Sequence, residues 1–136
     1  MLQRIQTIYL LLIVFLGGLA CYFQIDFLLP YYMQFKPFAI LIFTLALGLV
    51  PILAFITIFI FKKRNLQIKL IWIIIFLILI YYFTTLYACI GLHVDVKEIF
   101  TNFSLYFNLV NLILCDLAIR AIKKDENLVR AADRLR

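Results

Sequence analysis

The chain has 136 residues, of which 67% are hydrophobic and 15% are charged, and its mean hydropathy is +1.10. Soluble domains contain about 45–50% apolar and about 25% charged residues, so this composition excludes an ordinary water-soluble fold. The formal charge of +6 does not indicate a nucleic-acid partner, because its placement along the chain matters more than its sum.

Four apolar runs occupy most of the sequence, at about residues 5–23, 38–61, 70–90 and 99–119. Each is long enough to cross a bilayer, since about 20 apolar residues in a helix span the ~30 Å hydrocarbon core. Backbone hydrogen bonds in lipid must close within each helix. We therefore expect an all-α, polytopic four-transmembrane-helix bundle over residues 1–119, followed by a basic amphipathic cytoplasmic tail over residues 120–136.

The first run also has a second interpretation, as a signal that is removed. Gly18 to Cys21 weakly resembles a lipoprotein cleavage site. However, the apolar run continues through Tyr22 and Phe23, and cleavage would leave three spans with the basic loops on the wrong side. We therefore expect the first span to be retained.

The positions of Lys and Arg predict the orientation in the membrane. Of the 13 cations, only Lys36 and Lys97 lie in the connections after the first and third spans. The others fall in three places that four crossings bring to one side: Arg4; Lys62, Lys63, Arg64 and Lys69; and Arg120, Lys123, Lys124, Arg130, Arg134 and Arg136. The positive-inside rule assigns that side, with both termini, to the cytoplasm.

The fourth span carries a polar stripe with spacings of three and four: Thr101, Ser104, Asn108, Asn111 and Cys115. This spacing places its members on one helix face, which must point inward because amides facing acyl chains lose their hydrogen bonds. One interpretation is a polar cavity for a small ligand or ion. The other is hydrogen bonding between helices, which we favour because no charged residue lies mid-membrane beside the stripe.

Two further groups in the spans need hydrogen-bond partners. Asp116 precedes Arg120 by four residues, an arrangement that favours an ion pair over a proton relay. Hydroxyl groups crowd the outer half of the third span, and we expect their partners on a facing helix. They belong to Tyr81, Tyr82, Thr84, Thr85 and Tyr87.

Residues 120–136 combine six basic and three acidic residues. An apolar face is formed at helical spacing by Ala121, Leu128, Ala132 and Leu135. We expect a helical tail that continues from the fourth span and contacts either anionic headgroups or a protein partner. The candidate contact residues are Arg4, Arg120, Lys123, Lys124, Arg130, Arg134 and Arg136.

No pattern in the chain indicates catalysis or a metal site. His93 is the single histidine, near Asp95 and Glu98 in a short loop, which is weak evidence for a metal ligand set. The three cysteines share no metal-ligand spacing, and a disulfide between Cys21 and Cys89 is left open. We therefore expect no enzyme, no cofactor and no metal.

The two ends of the chain, Met1 to Leu10 and Arg120 to Arg136, resemble those of a family of small four-span bacterial membrane proteins catalogued as a domain of unknown function. Ile119 departs from the small polar residue expected before Arg120. The resemblance implies a bacterial inner-membrane location. It brings no known activity, substrate or cofactor.

These observations favour a non-enzymatic accessory or scaffold subunit that contacts a partner or anionic lipid through its basic ends. The alternative is a small transporter or channel component that uses the polar face of the fourth span. Expected partners are the lipid bilayer, anionic headgroups and a membrane or cytoplasmic protein, but not nucleic acid. Homo-oligomerisation is left open.

Overall fold

A computed structural model of the protein describes residues 2–28, 37–61, 63–92 and 96–134. Within these ranges every regular element is a helix, as the sequence predicts. Four helices are long: α1 (Leu2–Leu28), α2 (Pro37–Phe59), α3 (Arg64–Leu92) and α5 (Phe103–Arg134); the fifth, α4 (Val96–Thr101), is short.

Three of the long helices contain an apolar stretch sufficient to cross a membrane. These stretches are Ile5–Asp26 in α1, Arg64–Leu86 in α3 and Phe103–Val129 in α5. In α2, the apolar stretch found among the described side chains is the shorter Leu45–Phe59. Length and composition therefore make the chain compatible with a membrane protein.

The helix ends differ from the predicted span limits in two informative places. Arg64 and Asn65, which lie between the predicted second and third spans, begin α3, because the Lys63 carbonyl accepts the Leu66 and Gln67 amide protons at 2.9 and 3.1 Å. The predicted fourth span, from about Ile99, is interrupted at Asn102 between α4 and α5. Hydropathy marks lipid-compatible length, whereas local hydrogen bonds decide where a helix begins.

The long helices pack around a shared apolar core. α1 contacts α2 and α5, and α3 contacts the same two helices. The core is built mainly from aliphatic side chains, among them Leu10, Ile13, Val50, Ile71, Ile74, Ile78, Leu114 and Ile122. α1 packs on α2 at Gly17, where a Cβ would be in van der Waals contact with the Pro51 ring and with Val50, both at 3.4 Å.

The outer surface is strongly apolar, in contrast to parts of the interior. Phe15 is 65% exposed and Phe83 is 78% exposed, whereas Asn108 and Asn111 are fully buried. Water would penalise such an outer surface, but acyl chains would not. The distribution is therefore the one expected for a chain surrounded by lipid.

Candidate functional site

Asn102 fixes the start of α5. It lies between α4 and α5, and its Oδ1 accepts the Ser104 amide proton at 3.0 Å. This is the N-cap arrangement, in which a short polar side chain satisfies an amide that has no partner inside the helix. The cap sets the rotation of the first turn of α5 and directs Ser104 into the interior, where it is fully buried.

A hydrogen-bonded network joins α1, α3 and α5 at this end of the assembly. The Tyr81 hydroxyl donates to Gln24 Oε1 at 2.9 Å and lies 3.2 Å from Ser104 Oγ. Because a phenol carries one proton, Ser104 is the donor in the second bond. Asn102 Nδ2 donates to the same Gln24 oxygen at 2.9 Å. We call the end containing Gln24, Tyr81, Asn102 and Ser104 the network end.

The polar face of α5 continues from the network end into the centre of the assembly. Asn108 Nδ2 makes a long contact of 3.5 Å with Ser104 Oγ. Asn108 Oδ1 and both polar side-chain atoms of Asn111 are buried and have no hydrogen-bond partner among the described residues. Burying an amide without a hydrogen-bond partner costs about 1–3 kcal/mol. Asn108 and Asn111 are therefore unfavourable in the interior unless another molecule satisfies them.

The remaining members of the predicted stripe behave differently from one another. Cys115 is fully buried with a free thiol. Thr101 departs from the prediction, because it is exposed and belongs to α4. The helical spacing that placed Thr101 on the stripe assumed a continuous helix, and the break at Asn102 removes that continuity. Cys21 is also a free thiol, while the Cys89 side chain lies outside the described residues.

The hydroxyl groups of α3 find partners in two ways. Tyr82 donates to the Leu105 carbonyl of α5 at 2.7 Å, and Tyr81 contacts both facing helices as described above. Thr84 and Thr85, however, donate to carbonyls of α3 itself, at 2.9 Å to Ile80 and 2.8 Å to Tyr81. The predicted partners on a facing helix are therefore found for Tyr81 and Tyr82. The prediction for Tyr87 is not tested, because its side chain lies outside the described residues.

The opposite end of the assembly is held by three contacts between helices. Gln6 Nε2 donates to the Ala121 carbonyl at 3.3 Å, and Gln67 Nε2 donates to the Thr57 carbonyl at 3.1 Å. Arg64 lies 2.8 Å from Asp125 Oδ2. That contact is ionic, since this oxygen accepts no aligned hydrogen bond from the described part of the chain. We call this the basic end.

Cations collect at the basic end. Lys63, Lys69, Lys123 and Lys124 are exposed, and Arg120 is exposed in an i,i+4 pair with Asp116 at 2.7 Å. That pair faces outward, with side chains 75% and 55% exposed, so it is a surface contact of small energy.

Beyond Asp125, α5 continues to Arg134, and the described apolar side chains of this segment are exposed. Leu128 and Val129 are 51% and 44% exposed, next to the exposed Asn127. We call residues 126–134 the α5 extension. Of the other predicted contact residues, Arg4, Arg130 and Arg134 have side chains outside the description, and Arg136 lies outside the described residues altogether.

A metal centre finds no support in the described ranges, which contain no group of three or more His, Cys, Asp or Glu side chains able to hold an ion. His93 and Asp95 fall outside those ranges, as does the Glu98 side chain. The prediction about these three residues therefore stays a prediction.

Three glutamines and one ion pair were not singled out by the sequence analysis. Gln6, Gln24 and Gln67 are all buried at helix-helix contacts, and Arg64 pairs with a residue of the predicted tail. One signal was present: a glutamine near the end of an apolar helix is polar enough to need a partner. Spacing within one helix does not reveal which distant group that partner is.

Within its described ranges the chain is all-helical, and three of its helices are long and apolar enough to cross a membrane. The sequences of its two ends also resemble those of a family of small membrane proteins. The chain belongs to the family described as Domain of unknown function (DUF4293), which matches residues 2–135. Comparison with curated proteins and with solved structures gives no match.

Proposed function

We propose that this protein is a four-span bacterial inner-membrane protein that acts as a non-enzymatic accessory or scaffold subunit. Its contact surface is the basic end, with the α5 extension as the element that reaches a partner. The main support for this proposal is that α5 is one continuous helix of 32 residues. At 1.5 Å per residue it measures about 48 Å, well beyond the ~30 Å hydrocarbon core.

The fourth crossing in this proposal is α2. It has 23 residues, about 34 Å of helix, and it packs between α1 and α3. Proline is tolerated inside a membrane helix when neighbouring groups accommodate the freed carbonyl. Pro51, which lies inside α2, is therefore compatible with a crossing.

The orientation is supported by the contacts between helices at the basic end. Gln6 of α1, Gln67 of α3 and Asp125 of α5 each contact a partner at the basic end. The exposed cations beside these contacts would all face the cytoplasm under the positive-inside rule. The network end would then face the periplasm.

The α5 extension suits a contact role because α5 is fixed just before it and the extension's described apolar side chains are exposed. The Arg64–Asp125 pair and the Gln6–Ala121 hydrogen bond fix α5 just before the extension. Leu128 and Val129 then present apolar surface close to the exposed Lys123 and Lys124. A partner with an apolar contact surface and acidic surroundings would complement it.

Co-purification tests this proposal without disturbing the topology. The full chain, carrying an affinity tag and crosslinked in intact cells, is expected to capture a defined protein that is lost in the double variant Leu128→Ser, Val129→Ser. Asn127→Ser is the matched control, since it changes an exposed polar side chain of the same turn. Capture by the double variant equal to wild type contradicts the proposal.

A second candidate function is favoured by the buried amides of Asn108 and Asn111, which have no partner among the described residues. A small polar solute bound there would satisfy them, as in a transporter or channel component. Flux of small polar solutes into liposomes, abolished by Asn108→Ala with Asn111→Ala, would favour this candidate. Unchanged flux would reject it.

A further inference from the structure

An open groove of about 540 Å³ lies beside the turn between α2 and α3. Its lining is Phe59, Ile60, Phe61, Lys63 and Leu66. The turn itself is held by two backbone hydrogen bonds, from the Ile60 amide to Thr57 at 3.3 Å and from the Lys63 amide to Ile60 at 3.1 Å. Hydrogen bonds therefore hold the backbone on both sides of the turn that borders the groove.

The apolar side of the groove continues along the outer surface of the assembly. Phe59, Phe61 and Leu66 are exposed, and the Phe59 ring lies 5.0 Å from the Phe55 ring one turn deeper in α2. Phe55 is itself half exposed. An apolar chain that entered the groove would meet a continuous aromatic surface along α2.

The polar side of the groove is formed by the cation Lys63. Lys63 is exposed, and among the described residues no carboxylate lies within ion-pair distance of it. The neighbouring Arg64 is held by Asp125 at 2.8 Å. A lysine ammonium binds phosphate as a point charge, and basic pockets at the cytoplasmic side of membrane helices bind anionic headgroups.

We propose that this groove binds one anionic phospholipid, with its phosphate at the Lys63 ammonium and an acyl chain along Phe59 and Phe55. The combination of a cation with a lipid-facing aromatic wall selects a phospholipid over a free anion, because a free anion would leave the wall unoccupied. The proposal rests on the membrane location and orientation given in the proposed function, but it does not involve the α5 extension, so loss of lipid binding and loss of partner capture can be told apart.

Native mass spectrometry of the full chain in mild detergent tests the site. Phosphatidylglycerol is expected to bind in preference to phosphatidylcholine, with one tightly held molecule per chain. Lys63→Ala should weaken phosphatidylglycerol binding about fivefold, the factor that corresponds to ~1 kcal/mol for one cation near an anionic headgroup. Lys97→Ala is the matched control, because Lys97 is an exposed lysine of α4, and it should leave binding unchanged.

The apolar half of the site is tested by Phe59→Ser, which alters an exposed side chain and should weaken the binding of both lipids. Equal affinity of the wild type for the two lipids would overturn the proposal. So would unchanged phosphatidylglycerol binding by Lys63→Ala. Complete displacement of the lipid by millimolar inorganic phosphate would also overturn it, since the site would then be one for free anions.

Discussion

The two ends of the helix assembly are fastened by different chemistry. At the network end, the contacts among Gln24, Tyr81, Asn102 and Ser104 join uncharged groups in the interior. At the basic end, an ion pair and two glutamine-to-carbonyl bonds hold the helices, and the cations around them remain exposed. The described polar groups of the network end bond to one another, whereas the basic end has exposed cations that can contact another molecule.

This difference predicts different responses to salt. Neutral hydrogen bonds in a buried network are insensitive to ionic strength, whereas partly exposed charges are screened. The Arg64 and Asp125 side chains are 24% and 13% exposed, so salt should reach them. Stability measured at two salt concentrations therefore separates the two ends.

The largest expected effect comes from Gln24→Leu at the network end. Gln24 Oε1 accepts from both Tyr81 and Asn102, so its removal leaves two buried donors unpaired. We expect a loss of about 2 kcal/mol in the free energy of unfolding, at roughly 1 kcal/mol for each donor. Denaturant titration in detergent micelles gives the value.

Asp26→Asn is the control for this variant, since Asp26 is exposed two residues further along α1 and should change stability little. The loss caused by Gln24→Leu should be the same at low and high salt. A change below about 0.5 kcal/mol, the range typical of surface substitutions, would contradict the closed network.

A smaller effect is expected at the basic end. A double-mutant cycle with Arg64→Gln and Asp125→Asn should give a coupling energy of about 1 kcal/mol, at the upper end for a partly exposed pair. High salt should reduce this coupling. The same cycle on the exposed Asp116–Arg120 pair should give only about 0.3–0.5 kcal/mol. Equal coupling energies for the two pairs would remove the special role given to Arg64.

The smallest effect, and one of opposite sign, is expected midway between the two ends, for Asn111→Leu. Because the buried Asn111 amide has no partner among the described residues, an apolar side chain of similar size removes the cost of burying it unpaired. We expect the free energy of unfolding to rise, by about 0.5–1 kcal/mol. A loss above about 1 kcal/mol would mean that the amide has a bound partner, and it would favour the solute-binding candidate.

The sequence predicted the helical class and the buried face of Ser104, Asn108, Asn111 and Cys115, because both depend on periodicity within one helix. It did not predict Thr101 correctly, since the cap at Asn102 interrupts that periodicity. The contact of Arg64 with Asp125 and that of Gln24 with Tyr81 and Asn102 join distant parts of the chain. Such pairs depend on which helices are neighbours, and hydropathy does not encode neighbours.

The central claim is that the basic end faces the cytoplasm and the network end the periplasm. Cysteine labelling tests it in a background that lacks Cys21, Cys89 and Cys115. Lys97→Cys and Asn127→Cys each replace an exposed residue, one near each end. We predict that a membrane-impermeant maleimide labels the cysteine at position 97 in intact spheroplasts, and labels that at position 127 only after permeabilisation. Labelling of position 127 in intact spheroplasts, with position 97 protected, would contradict the account.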